Sequence, residues 1–172
     1  MTTVTSFIRR HRLASGVTGL LGIGLAVFVF VWFQPQKLVI NKTVNEAAPK
    51  PATSTQTVGS KAGLVASGSF RSLEHRTTGK ASLLRLADDS FIVRFDDLDT
   101  SNGPKLRVYL SELPPNLGWR DYGKRFLDLG ALKGNRGDQN YTVRRGVDVS
   151  KFHSVVIWCE RFTVGFGVAP LA

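Results

Sequence analysis

Sulfur is nearly absent from this chain. Its 172 residues contain one cysteine, Cys159, and one methionine, Met1, which rules out an intramolecular disulfide, a Cys-x-x-Cys redox or zinc pair and a Cys-x-x-Cys-His heme attachment. Histidine is scarce too, with three residues, His11, His75 and His153. No Gly-x-Ser-x-Gly elbow, phosphate-cradling glycine loop or His-Glu-x-x-His helix occurs, so no catalytic constellation supports an enzyme. The run Asp96 to Gly103 has some flavour of a calcium loop, but its glycine falls one place late and no glutamate stands at the twelfth position. It reads as an Asx-rich hairpin loop, and no metal is expected.

Acidic residues are missing from the whole N-terminal region, where the first is Glu46. A formal charge of +10 invites a nucleic-acid reading, but its distribution removes it. Arg9, Arg10 and Arg12 lie at the N-terminus, four lysines lie between Gln34 and Lys61, and the rest of the chain has 16 basic against 12 acidic residues. Those basic residues are spread singly apart from Lys124-Arg125 and Arg144-Arg145, with no basic helix and no aromatic-interleaved stripe. No nucleic acid is expected as a partner.

What is present begins with Ala14 to Phe33, a run without a single charge. At 1.5 Å per residue such a run covers the roughly 30 Å of a bilayer's hydrocarbon core. It is longer than a signal-peptide apolar region and leads straight into Trp32-Phe33-Gln34-Pro35, so an uncleaved anchor is expected. The three arginines before it place residues 1–13 in the cytoplasm and export the rest, giving a single-pass protein of the cytoplasmic membrane. Ser15/Gly19 and Gly22/Ala26 are small-residue pairs of the kind that let two anchors pack as a homodimer. Residues 34–62, rich in Ala, Pro, Thr and Ser and without apolar periodicity, read as a disordered stalk.

Residues 63–172 form one domain's worth of chain. The period there is two: Phe91, Val93 and Phe95 alternate with Ile92 and Arg94, and Leu106, Val108 and Leu110 alternate with Arg107, Tyr109 and Ser111. Phe162, Val164 and Phe166 repeat the pattern after a two-residue turn at Glu160-Arg161. These alternations predict an all-β, antiparallel sandwich or jelly-roll-like domain of about 7–9 short strands. Outside the anchor no long helix is expected, although Leu117 to Leu127 has room for a turn or two.

Several local patterns within this domain resemble a known family. They include Gly68-Ser69-Phe70, His75, Gly79-Lys80-Ala81, Val108-Tyr109-Leu110-Ser111, Gly137-Asp138-Gln139-Asn140-Tyr141, Val155-Val156-Ile157-Trp158-Cys159 and Phe162-x-Val164-x-Phe166-Gly167-x-Ala169. They are similar to the DM-thirteen domain, over nearly all of the region that follows the stalk. The resemblance implies an extracytoplasmic β module with one characteristic cysteine, proposed to take part in electron transfer. In that proposal the cysteine is a free redox thiol or holds a prosthetic group such as heme. It implies Cys159 as the candidate redox residue, with His75 as a second cofactor ligand, and a redox protein or cell-envelope component as partner.

The residues themselves leave Cys159 open between two readings. It shares a side of its strand with Val155 and Ile157, while Val156, Trp158 and Glu160 share the other. Both sides look apolar around Val156 to Trp158, as in a central strand, and a free cysteine in such a place is an inert, buried hydrophobe. That reading makes the domain a non-catalytic binding or structural module of the cell envelope. Yet Cys159 also ends its strand beside the Glu160-Arg161 turn, where exposure and a nearby cation favour a reactive thiolate.

Overall fold

The computed structural model of the chain describes residues 12–33, 40–49 and 63–172. The chain divides into two compact units, residues 1–36 and 37–172. In the first, helix α1 runs Arg12–Phe33, following the uncharged run that the sequence marks. Its side chains are described for residues 16–32, where Leu20, Leu21 and Val31 are all exposed. Among the described residues no helix is long and apolar enough to cross a membrane. The expected spanning anchor over 14–33 is therefore not supported at this level, although the helix itself is present.

The second unit consists of strands. In chain order they are β1 Thr43–Asn45, β2 Gly63–Ser69, β3 Arg71–Ser72, β4 Thr77–Arg85, β5 Phe91–Thr100, β6 Leu106–Ser111, β7 Phe126–Ala131, β8 Arg136–Val143, β9 Ser154–Cys159 and β10 Val164–Pro170. They form two five-stranded sheets, ordered β1-β8-β5-β4-β2 and β3-β10-β9-β6-β7. Every pairing is antiparallel except that of β1 with β8. The inward residues of β4, β5 and β8 (Ala81, Leu83, Val93, Phe95, Tyr141) meet those of β6, β9 and β10 (Val108, Leu110, Val155, Ile157, Phe166) in one buried cluster. Alternation on both sheets thus closes a sandwich, as its period of two requires.

The β3-containing sheet buries its outer face as well. Val156 and Trp158 of β9, Tyr109 of β6 and Val168 of β10 pack beneath Leu113 and Tyr122 of the 112–125 connection. Tyr122 is fully buried, and its hydroxyl donates to the Pro114 carbonyl at 2.9 Å while accepting the Leu117 N–H at 3.2 Å. No helical turn forms at 117–127; turns and bends lead to β7 instead. A cover over both faces of β9 explains why its residues are buried without exception.

The stalk reading of 34–62 needs correction where it is described. Thr43–Asn45 pairs in parallel with Arg136–Asp138, and the segment is fastened by polar contacts that its own sequence does not reveal. The Arg94 side chain, nearly buried, pairs with Asp96 at 2.6 Å and Asp138 at 2.8 Å and donates to the Glu46 carbonyl at 3.1 Å. Lys133 pairs with Glu46 at 2.7 Å, and the Asn140 N–H donates to the same carboxylate at 2.7 Å. The Lys133 hydrogen bond, foremost, holds the Glu46 carboxyl below its usual pKa. Among the described residues no group of carboxylates, histidines or cysteine could hold a metal ion.

Candidate functional site

Cys159 closes β9, the central strand of its sheet, opposite Leu106 of β6 and Val164 of β10. Its side chain turns to the inter-sheet core with Val155 and Ile157, the side that alternation predicts, and its exposure is 0%. The thiol donates to the Pro104 carbonyl at 3.2 Å. Burial, the largest influence, pushes its pKa up; the backbone N–H groups of Arg161 and Phe162, hydrogen-bonded to the sulfur, pull the other way. The connection to β10 is a four-residue turn, Glu160 to Thr163, longer than the expected pair, with Thr163 left-handed at φ 54°. That turn folds its backbone donors over the sulfur, where a two-residue hairpin would have left the strand end open. The sulfur therefore sits protonated and enclosed, and it lines none of the described clefts.

His75 lies in the connection between β3 and β4, half-buried, with its ring 3.9 Å from that of Phe166. Phe166 reaches on toward the Gly103-Pro104 segment, so closely that a Cβ on Gly103 would stand 2.7 Å from its ring. Phe166 thus contacts both His75 and the segment that accepts the thiol's hydrogen bond, and no described contact joins histidine and thiol. His75 opens instead on a polar cleft of about 460 Å³ shared with Asp99 and Arg136. This arrangement does not fit heme held between Cys159 and His75. The sulfur has neither an open face nor a ready thiolate, and the imidazole faces a different space. His153 precedes β9 and is tied down by its backbone, whose N–H donates to the Ser111 carbonyl at 2.9 Å.

The larger opening is on the other face of β9, at the residue next to the cysteine. Trp158, Tyr109 and Phe126 line a cleft of about 590 Å³ rimmed by Arg120, Lys124 and Glu160. The Tyr109 and Phe126 rings stack at 3.8 Å and 7°, and Trp158 lies 6.3 Å from Tyr109. The sequence pattern marks Trp158 as a core aromatic; the structure makes it both core and cleft wall. The signal in the sequence was its position opposite Cys159 on the side carrying Glu160.

A family model described as Electron transfer DM13 matches residues 69–171. No curated protein and no solved structure matches the chain. The matched region runs from the end of β2 past β10, taking in Cys159, His75 and the aromatic cleft, and it covers more than half of the sequence. The β-sandwich with its single enclosed cysteine therefore belongs to the Electron transfer DM13 family.

Proposed function

We propose that this protein is a membrane-held electron-transfer accessory domain in which Cys159 is a structural thiol of the core and not the group that exchanges electrons. The family description supports the electron-transfer part. One observation carries the rest: the sulfur is completely buried and hydrogen-bonded to the Pro104 carbonyl, and burial raises its pKa. A thiol in that state supplies almost no thiolate at neutral pH and offers no path to a partner's disulfide or metal. The same enclosure favours a second reading, a non-catalytic binding or structural module of the cell envelope. The membrane part is supported by the uncharged run Ala14–Phe33 and by the arginines that precede it. It implies a cytoplasmic N-terminus and a sandwich outside.

Thiol labelling of the full chain tests the central claim. Cys159 should react with a maleimide only after denaturant unfolds the sandwich; stoichiometric labelling of the native protein within minutes would overturn it. Retention in the membrane pellet after alkaline carbonate extraction is the expected result for the anchor, and release into the supernatant would remove it. Absence of any electron exchange with soluble mediators in folded protein would favour the structural module.

A further inference from the structure

Strand β1 lies in a receptor that the rest of the sandwich builds. Along the β8 edge the Glu46 N–H donates to the Asp138 carbonyl at 3.0 Å, and the Arg136 N–H donates to the Lys42 carbonyl at 3.3 Å. Two polar side chains that are more than nine-tenths buried reach out to the same segment. Asn135, 4% exposed, accepts the Lys42 N–H at 2.7 Å and donates to the Asn41 side chain at 2.9 Å. Arg94, 7% exposed, donates to the Glu46 carbonyl. Asn140 donates its side-chain amide to the Ala47 carbonyl at 2.9 Å and its N–H to the Glu46 carboxylate. Lys133 takes both oxygens of that carboxylate, at 2.7 and 2.9 Å.

Two glycines give the receptor its shape. A Cβ on Gly134 would fall on the Lys42 carbonyl oxygen, and one on Gly137, left-handed at φ 87°, would fall on that of Val44. The edge therefore reads an extended backbone by its amides and one glutamate by a charge-assisted pair, which is recognition by strand addition.

The occupant is only loosely owned by its own sandwich. None of the side chains of residues 41–47 is buried, so their departure takes nothing from the core. Residues 48–62 join the segment to β2, a connection that reaches about 50 Å when extended. An empty receptor, in contrast, would leave the β8 edge and the buried Asn135 and Arg94 short of partners. A foreign strand would have to reproduce the Asn41 amide, the Glu46 carboxylate and the fit to both glycines. A second copy of this chain does so by identity, and reciprocal exchange refills both receptors under two-fold symmetry.

We propose that the β8 edge, with Lys133, Gly134, Asn135, Gly137 and Asn140, is a strand-acceptor surface through which two copies pair by each seating residues 41–47 on the other. Concentration sets the balance between own and exchanged strand, as for any association. The inference is independent of the electron-transfer reading.

Thr43 and Arg136 are register partners across this edge, so disulfide trapping tests the exchange. Full chains carrying Thr43→Cys and differently tagged full chains carrying Arg136→Cys, mixed and oxidised, should give a covalent heterodimer on a non-reducing gel. Adding Glu46→Lys to the first chain sets like charges against Lys133 and should reduce the heterodimer about fivefold. Adding Lys133→Glu to the second chain as well should restore it. No heterodimer, or one indifferent to Glu46→Lys, would overturn the proposal. If the two cysteines fail to join even within one doubly substituted chain, a fluorescein-labelled peptide of residues 40–48 decides. Its anisotropy should rise on the full-length Glu46→Lys chain and stay flat when the peptide itself carries Glu46→Lys. No rise, or an equal rise for both peptides, would overturn the acceptor surface.

Discussion

Cys159 and Trp158 are neighbours in sequence and opposites in surroundings. The cysteine side chain enters the core between the sheets, capped by the Pro104 carbonyl and the turn after its strand. The tryptophan passes through the other face into a second cluster, roofed by the 112–125 connection and opening onto the aromatic cleft. The strand's pleat alone separates them. The difference teaches that the most reactive residue type need not be the reactive place: here the thiol is sealed and its aromatic neighbour faces the space a ligand can enter. It also shows that the two apolar faces of one strand can be covered in different ways, one by the opposite sheet and the other by a loop that leaves a cleft beside it.

The comparison breaks most violently if the inner face is opened. Phe166 is nearly fully buried between His75 and the Gly103-Pro104 segment, and Phe166→Ala should cost about 3–5 kcal/mol in urea unfolding, as for other buried phenylalanines. The same variant should make Cys159 label in the native state, because the cavity adjoins the segment whose carbonyl accepts its S–H. A destabilised but still unlabelled thiol would mean that the turn at 160–163 alone seals it.

A smaller effect separates the faces by pH. The thiol's ordinary value is 9.0 and folding raises it, chiefly through burial. Above pH 9 the unfolded chain loses this proton while the native chain keeps it, so stability is intact below the ordinary value and falls as pH rises toward the raised one. Stability should therefore begin to decline as pH rises past 9. Cys159→Ala should remove that first decline. What remains should begin about one pH unit higher, in the range of Tyr109, Tyr122 and Tyr141, whose values burial also raises from 10.0. Urea midpoints measured from pH 7 to 11 check this, and identical alkaline curves for the two proteins would refute it.

Much of this arrangement was legible in the sequence, for a physical reason. Period-two alternation at Phe91–Phe95 and Leu106–Leu110 is a local property, and it marked β5 and β6 correctly. The doubly apolar run Val155–Trp158 likewise marked the central strand of its sheet. Strand β1 was not legible, because Thr43–Asn45 has no pattern of its own; it is held by Arg94, Lys133 and Asn140, which are far away in sequence. The roof over Trp158 was hidden for a related reason. Leu113, Leu117 and Tyr122 follow neither a helical nor a strand period, and only tertiary packing shows that they share a target. For Cys159 the sequence defined the correct side of the strand, while the enclosing four-residue turn depended on Thr163 adopting a left-handed backbone that threonine seldom takes.

The smallest expected effect sharpens the contrast furthest. Tyr109 is almost as buried as the residues of the inner core, so burial alone would assign its hydroxyl a structural task. Its environment says otherwise: no described residue accepts from or donates to that hydroxyl, and the ring is held by stacking on Phe126. Tyr109→Phe should therefore change unfolding stability by no more than about 0.5 kcal/mol, the range of substitutions that remove no native interaction. Tyr141 is the natural control, since its side chain is as buried overall and its hydroxyl donates to Gln139 at 2.7 Å and accepts the Lys133 N–H at 3.0 Å. Tyr141→Phe should cost about 1–3 kcal/mol by leaving those partners unpaired. If the two variants were equally destabilised, the Tyr109 hydroxyl would be serving the fold, and the outer face of β9 would be a second core.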